Sequence, residues 1–254
     1  MEGWQGWDDY AAFYDWENAR TMGRRDVRFW QSLASRIGGP VLELGCGTGR
    51  VSLPVARTGV SLFGVDRSSE MLARARRRLR RSTTARSLRL IRGDIRSLPF
   101  ATGKFRLVIA PYGILQSLLD GADLEETLDC VSRVLRRGGT FGIDLVADLP
   151  AWDEYRGRIR LRGRRGGGRY LTLVESVRQD RGRGLTIFDQ EYIEHAGGRR
   201  TSRRFSLAFR TVTIAEMMTE LESAGFDVDA VLGDYDGRPW DLRAETWLIL
   251  AKRR

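Results

Sequence analysis

The chain has 254 residues, of which 42% are hydrophobic and 30% are charged. This length suits one α/β domain with an insertion and is too short for two full-sized domains, and the composition argues against disorder. The formal net charge is +10, yet lysine occurs only at Lys104 and Lys252. Because the excess is carried by arginine, we interpret it partly as a compositional bias rather than as a sign of a polyanionic partner.

Several classes of protein are disfavoured by single residues. Cys46 and Cys130 are far apart and have no second ligand beside them, so we predict no metal site. His195 is the only histidine, which makes histidine-dependent hydrolases improbable. The N-terminus is acidic and aromatic rather than basic and apolar, and no apolar stretch approaches about 18 residues. We therefore expect a cytoplasmic protein that does not enter a membrane.

Helical and strand patterns alternate along residues 26–146. A helix over 27–37 is expected to bury Val27, Trp30 and Leu33. A later helix, with Asp123 as its N-cap, ends at Gly138-Gly139. The dense apolar runs that predict strands are 41–45, 61–66, 88–94, 105–111 and 140–146. This alternation predicts a Rossmann-like, doubly wound, mostly parallel sheet.

The pattern changes after Pro150. Residues 169–179, 185–195 and 203–213 read as three strands joined by Gly- and Arg-rich turns, with no helix between them. A capping box at Thr213-Ile-Ala-Glu216 then starts a last helix, and two closing strands complete a seven-stranded sheet. We predict an N-terminal aromatic cap segment at 1–25, a core at 26–149 and 213–254, and an antiparallel β insertion at 150–212 that serves as a substrate lid or dimer element.

The most informative segment is Val41-Leu-Glu-Leu-Gly-Cys-Gly-Thr-Gly-Arg50, in which a buried strand meets a glycine loop and then a helix. Glycine lets a ligand lie against the backbone, and a helix N-terminus offers free N–H groups. Arginine stands at position 50, where the dinucleotide fingerprint requires glycine. With the acidic Glu43 before it, this loop is better suited to a cationic, amino-acid-like ligand than to a pyrophosphate.

Two carboxylates follow later strands. Asp66 closes the second predicted strand about 20 residues past the loop, where it can accept both hydroxyls of a ribose. Asp94 closes the third and can accept from an exocyclic amino group while Ile95 packs on a purine. Ligands of open α/β sheets bind at these carboxyl ends.

These motifs, together with Ala110-Pro111-Tyr112-Gly113 and Leu135-Arg-Arg-Gly-Gly139, resemble the motif series of class I S-adenosylmethionine-dependent methyltransferases. The antiparallel insertion and aromatic N-terminus resemble the small-molecule branch, which includes glycine/sarcosine and amino-sugar N-methyltransferases. The resemblance implies that S-adenosylmethionine is bound and S-adenosylhomocysteine released. It also implies a set of cofactor-binding residues, namely Glu43, Gly45, Cys46, Gly47, Gly49, Asp66, Arg67, Met71, Asp94, Ile95, Ala110, Pro111, Tyr112 and Gln116.

Methyl transfer from a sulfonium is an in-line displacement that relies mainly on proximity and orientation, so few catalytic residues are needed. Our candidates are Tyr14, Tyr112 and His195, with Asp144 and Glu191 as weaker candidates for a base. The aromatic residues of the N-terminus, Tyr10, Phe13, Tyr14 and Trp16, could close over the pocket.

The leading hypothesis is methyl transfer to the nitrogen or oxygen of a small molecule. An alternative, motivated by the net charge, is a methyltransferase that acts on RNA or protein. Against it, Ala-Pro-Tyr-Gly differs from the Asn/Asp-Pro-Pro-Tyr/Phe motif of enzymes that methylate amide or base amino groups. A non-catalytic nucleic-acid-binding relative is the second alternative. A homodimer is consistent with the exposed edges of an antiparallel insertion.

Overall fold

The computed structural model describes residues 6–21, 25–82, 86–146, 153–244 and 246–254. Their contacts divide them into two compact units. One unit contains the described residues of 24–147 and 212–254, and the other contains those of 1–23 and 148–211.

The larger unit is built on a seven-stranded sheet with the order β10-β11-β5-β4-β1-β2-β3. Its strands are β1 (Val41–Leu44), β2 (Leu62–Asp66), β3 (Leu88–Arg92), β4 (Phe105–Ala110), β5 (Leu135–Val146), β10 (Phe226–Leu232) and β11 (Thr246–Arg253). The pairs among β1 to β5 are parallel, and β11 is antiparallel to both β5 and β10. The predicted fold class is confirmed.

Helices cover this sheet because each carries one apolar face. They are α2 (Arg25–Ile37), α3 (Ser52–Ala56), α4 (Ser69–Leu79), α5 (Gly121–Val134) and α6 (Ile214–Ser223), and a 3-10 turn spans Ile114–Ser117. Val27, Trp30 and Leu33 are buried on α2 as their helical spacing predicts. The capping box of Thr213 and Glu216 at the start of α6 is also present.

Two details of the predicted core differ from the structure. The N-cap of α5 is Asp120, whose carboxylate accepts from the Ala122 amide, so the helix begins earlier than the predicted cap at Asp123. Strand β5 begins at Leu135, and Gly138-Gly139 lies within it rather than closing the helix. The register between β4 and β5 shifts at this point, which accommodates the extra residues.

The smaller unit contains α1 (Trp7–Thr21) and a four-stranded antiparallel sheet with the order β6-β7-β8-β9. Its strands are β6 (Tyr155–Arg164), β7 (Tyr170–Asp180), β8 (Leu185–Ala196) and β9 (Arg199–Arg210). The sequence predicted three strands and missed β6. Arginine at every second position disguises this strand, which is a largely exposed edge strand with little apolar surface.

Aromatic side chains form the interior between α1 and the four-stranded sheet. Phe13 stacks on Tyr192 at a centroid distance of 4.2 Å, and Tyr192 stacks on Phe205 at 5.5 Å. Tyr10 lies 5.4 Å from Phe205. The N-terminal rings thus have packing partners within their own unit, and this packing accounts for their burial.

Candidate active site

The glycine loop after β1 turns through the left-handed backbone region. Gly45, Gly47 and Gly49 have φ values of 60°, 52° and 78°, a region that residues with a Cβ disfavour. The Cys46 amide donates to the Val65 carbonyl at 3.0 Å, and the Gly49 amide donates to the Cys46 carbonyl at 2.9 Å. The loop is therefore tied to β2 and closes on itself before α3.

The glycines at 45 and 47 differ in what surrounds them. A Cβ at Gly45 would lie 2.5 Å from the Ile114 side chain, so close packing requires this glycine. A Cβ at Gly47 would meet only the Gly45 carbonyl, at 4.0 Å, and would otherwise project into open space. Gly47 is thus the point where a ligand could lie against bare backbone.

The Asp66 carboxylate joins the loop to the next strand. It accepts from the Gly47 amide at 2.7 Å and from the Ser68 amide at 2.8 Å, one bond to each oxygen. Ser68 is also the N-cap of α4, where its hydroxyl accepts from the Met71 amide at 3.1 Å. A carboxylate has about four lone-pair sites, so a carboxylate that binds two backbone amides can also accept from hydroxyl groups.

Glu43 is fully buried beneath the loop. Burial raises the pKa of its carboxyl to about 8, while a hydrogen bond from the Ser52 hydroxyl and the nearby Arg50 act in the opposite direction. Glu43 is thus mostly protonated at neutral pH in the isolated chain. The sequence had suggested an acidic group before the loop, whereas burial favours the neutral form of this carboxyl.

Cys46 packs tightly under the same loop. A Cβ on Gly64 of β2 would lie 2.8 Å from the Cys46 Cβ and 2.9 Å from its Sγ. Burial raises the pKa of the Cys46 thiol well above its ordinary value. Cys46 therefore serves as a small neutral packing residue, since a thiol held protonated is a poor nucleophile.

Asp94 is the centre of an ion-pair group after β3. Arg96 donates to both of its carboxylate oxygens and Arg67 lies 3.1 Å away. Burial acts to raise the pKa of Asp94, but the hydrogen bonds from Arg96 outweigh it and lower the pKa. Ile95 is buried beside it. The two guanidinium groups would share the Asp94 oxygens with any adenine amino group.

The segment after β4 lies beside the glycine loop. Ala110 and Pro111 are buried, whereas Tyr112 is 38% exposed and has a φ of 60°. Gln116 is fully buried, and its side-chain amide bonds both the Val146 amide and the Val146 carbonyl. Of these four candidates, Tyr112 is the side chain that reaches the surface.

The structure shows two pairs of interacting side chains near Tyr112 that the sequence did not predict. The buried Asp144 of β5 accepts from the Tyr235 hydroxyl at 2.6 Å, and Arg50 pairs with the buried Asp26 at 2.6 Å. Burial raises the pKa of Asp144 to about 6, opposed by the bonds from Tyr235 and the Tyr112 amide. Asp144 drew notice as a weak candidate base, but no local pattern could pair it with Tyr235.

Two of the predicted catalytic residues belong to the smaller unit. Tyr14 of α1 is buried and packs edge-on to Tyr10 at 5.6 Å. His195 of β8 is exposed and lies between Tyr170 and Arg200 on the neighbouring strands. Their catalytic roles stay predictions.

Within the described residues, no group of three or more acidic, histidine or cysteine side chains could hold a metal ion. Nor is any helix in that part of the chain long and apolar enough to cross a membrane.

Residues 41–139 match the family model described as a methyltransferase domain. The chain is 35% identical over 155 residues to the demethylmenaquinone methyltransferase of Beutenbergia cavernae, which covers 58% of this chain and 59% of that protein. It is 26% identical over 218 residues to the cypemycin N-terminal methyltransferase of a Streptomyces species, with 85% and 84% covered. The chain spans between 35% and 59% of the length of the first curated relatives it matches.

Among solved structures, the sugar N-methyltransferase KedS8 from a Streptoalloteichus species is similar to this chain, with a TM-score of 0.77 and 18% sequence identity. The match covers 95% of this chain and 92% of that chain. The chain thus shares the fold of this solved methyltransferase. The match of residues 41–139 to the methyltransferase-domain model agrees with the resemblance seen in the motifs.

Proposed function

We propose that the chain is a methyltransferase that transfers the methyl group of S-adenosylmethionine to a small-molecule acceptor. One observation carries this proposal. Three left-handed glycines end β1, and the middle one donates its amide to an aspartate that ends β2. This arrangement leaves bare backbone and a carboxylate facing the carboxyl ends of the parallel strands, where open α/β sheets bind ligands.

The donor set fits S-adenosylmethionine. Asp66 is a carboxylate at the end of β2, the group that a ribose diol requires, and Ile95 offers an apolar side chain for a purine. Among the described residues, a Cβ at Gly47 would meet nothing nearer than the Gly45 carbonyl at 4.0 Å. When bound, the cofactor supplies an activated methyl group on a positively charged sulfur.

The chain contributes orientation and the exclusion of water. Gly45, Gly47 and Gly49 would allow close approach of the methionine end, Asp66 would fix the ribose, and Ala110 to Tyr112 would form the wall near the methyl group. Holding an acceptor in line with the methyl can supply roughly 7–11 kcal/mol in favourable cases. A neutral amine acceptor needs no base, whereas a hydroxyl acceptor needs one.

We extend the proposal to an acceptor with a nitrogen or oxygen nucleophile. The names of two similar proteins support the nitrogen acceptor, since one is a sugar N-methyltransferase and the other an N-terminal methyltransferase. Tyr112 is the candidate that contacts the reacting groups. Tyr14 and His195 are the other two candidates, and Tyr14→Phe and His195→Asn, assayed with an identified acceptor, test their roles.

One observation favours the alternative of an RNA substrate. Strand β6 carries exposed arginines at 156, 158, 160, 162 and 164, and arginine suits phosphate contact. A gel shift with single-stranded RNA that weakens with salt, and that is lost when these arginines are replaced together by glutamine, would favour this reading over the small-molecule one.

Calorimetric titration with S-adenosylmethionine and S-adenosylhomocysteine, beside NAD and ATP, tests the proposal. We expect micromolar binding of the two sulfur ligands alone and its loss in Asp66→Ala. An acceptor screen that follows S-adenosylhomocysteine release would then find the substrate. Absence of binding by either sulfur ligand would remove the methyltransferase proposal.

A further inference from the structure

Tyr112 has a strained backbone. Among the residues that the structure describes, it is the one non-glycine residue with a positive φ, at 60°. L-residues avoid this region because the Cβ crowds the following carbonyl oxygen. Such strain persists where surrounding contacts over-determine the conformation, and it is concentrated at ligand-binding sites.

Asp144 supplies those contacts through two consecutive amides. Its carboxylate accepts from the Tyr112 amide, and its backbone carbonyl accepts from the Gly113 amide at 2.9 Å. One residue of β5 therefore binds both amides of the turn that follows β4. An ionised acceptor makes the stronger kind of hydrogen bond to an amide.

Tyr235 fixes the Asp144 carboxylate in turn. Its hydroxyl donates to Asp144 Oδ2 at 2.6 Å, and its ring lies 6.0 Å from the ring of Phe29. Asp144 is only 3% exposed. Since a buried carboxylate without partners is costly, the hydrogen bond from the Tyr235 hydroxyl stabilises the Asp144 carboxylate in this position.

The Tyr112 ring has a contact of its own, with Arg50. The Arg50 guanidinium lies 5.6 Å from the ring centroid, within cation–π range. Arg50 follows the glycine loop directly and is anchored by its 2.6 Å ion pair with Asp26. The Tyr112 backbone is thus attached to β5, and its ring contacts the residue that directly follows the glycine loop.

We propose that Asp144 and Tyr235 are positioning residues that hold Tyr112 in its left-handed conformation and so shape the wall beside the cofactor loop. The part of this inference that concerns the cofactor rests on the proposed function. The part that concerns the backbone of Tyr112 stands on the geometry of these residues alone.

The first experiment measures S-adenosylmethionine binding by calorimetry. We expect Asp144→Ala to raise Kd about tenfold and Tyr235→Phe about threefold, with Asp144→Asn close to wild type because the amide oxygen can still accept from Tyr112. Thr140→Ala is the matched control, since Thr140 is a buried, hydrogen-bonded residue of the same strand. Equal losses in Thr140→Ala, or none in Asp144→Ala and Tyr235→Phe, would overturn the cofactor part.

The second experiment measures urea unfolding and needs no ligand. In wild type, the loss of Asp144 lets Tyr112 leave its strained conformation, and this offsets part of the lost hydrogen bonding. Glycine adopts a φ of 60° without strain, so Asp144→Ala should lower the unfolding midpoint more in a Tyr112→Gly background than in wild type. The Tyr235→Phe variant in both backgrounds serves if Asp144→Ala does not fold. An equal drop in the two backgrounds refutes the positioning role. If wild type binds neither S-adenosylmethionine nor S-adenosylhomocysteine, the proposed function fails. The comparison of Asp144→Ala in the two backgrounds then still decides whether Asp144 positions Tyr112.

Discussion

The amide of Gly47 donates to the carboxylate of Asp66 at 2.7 Å, which joins the middle of the glycine loop to the end of the neighbouring strand. The loop is therefore fixed to the sheet by a hydrogen bond. Its shape and the direction of the Asp66 oxygens are set together, because moving either group breaks a charge-assisted hydrogen bond.

Replacing Asp66 should abolish nucleoside binding more than it affects folding. Two hydroxyl bonds to a charged group are each worth about 1.5–3 kcal/mol, so Asp66→Ala should raise the Kd for S-adenosylhomocysteine by at least about 100-fold. Calorimetry measures this change. Asp227→Ala, which removes an exposed carboxylate that pairs with Arg254, is the control and should bind as wild type. Unchanged binding in Asp66→Ala would contradict the ribose role.

A methyl group at Gly47 should block the ligand site. Gly47→Ala and Gly59→Ala both place alanine at a positive φ, 52° and 91°, and at Gly59 nothing lies within 4 Å of the added Cβ. Both variants should lose about 1 kcal/mol of stability from backbone strain. Only Gly47→Ala should also lose S-adenosylhomocysteine affinity, by at least tenfold. Equal affinity in the two variants would show that no ligand lies against Gly47.

Glu43 should make the protein less stable as pH rises. Its ordinary pKa of 4.5 is raised to about 8 by burial, so between these values the unfolded chain ionises while the folded chain stays protonated. The free energy of unfolding then falls with pH, by at most ~1.4 kcal/mol per pH unit from this group. Below pH 4.5 the effect vanishes, because Glu43 is protonated in both states.

Urea unfolding at pH 5.5, 6.5 and 7.5 measures this dependence. The decline should be shallower in Glu43→Gln than in wild type, because glutamine has no proton to lose. Glu125→Gln, at an exposed position on α5, should keep the wild-type slope. Parallel curves for wild type and Glu43→Gln would show that Glu43 is ionised in the folded chain.

The hydroxyl of Tyr192 should stabilise the smaller unit. Tyr192 donates to Glu17 Oε2, which also accepts from Tyr10 at 2.7 Å. Burial and the Glu17 charge raise the pKa of Tyr192, so it stays protonated and remains a donor. Tyr192→Phe should cost about 1–3 kcal/mol in urea unfolding. Tyr170→Phe, at an exposed position on β7, should cost almost nothing, and equal costs would contradict the role of this bond.

Sequence patterns predicted the fold well where a local rule determines the structure. The apolar face of α2, the capping box at Thr213 and the glycine loop depend on neighbours within a few positions. Strand β6 was missed because its partner β7, not its own composition, makes it a strand. The N-cap of α5 was placed three residues late because Asp120 and Asp123 offer the same side chain.

The candidate site shows the same division. Asp66 could be proposed from its distance to the loop, whereas Asp144 and Tyr235 are 91 positions apart and meet only when β5 and the segment after β10 are in place. The raised pKa of Glu43 results from its burial in the folded chain, and the residues of the motif do not indicate this burial. Long-range contact and desolvation are therefore what the sequence could not supply.

The packing of α1 on β8 and β9 has a consequence for the order of synthesis. Phe13 leaves the ribosome almost 180 residues before Tyr192 exists, estimated as the separation of the two positions in a chain made from its N-terminus. Throughout that interval the aromatic face of the helix has no native partner, and isolated helices of this length are marginal in water. Helix α1 is thus made long before its packing partners, and a chain that ends before residue 199 would expose this aromatic surface to chaperones.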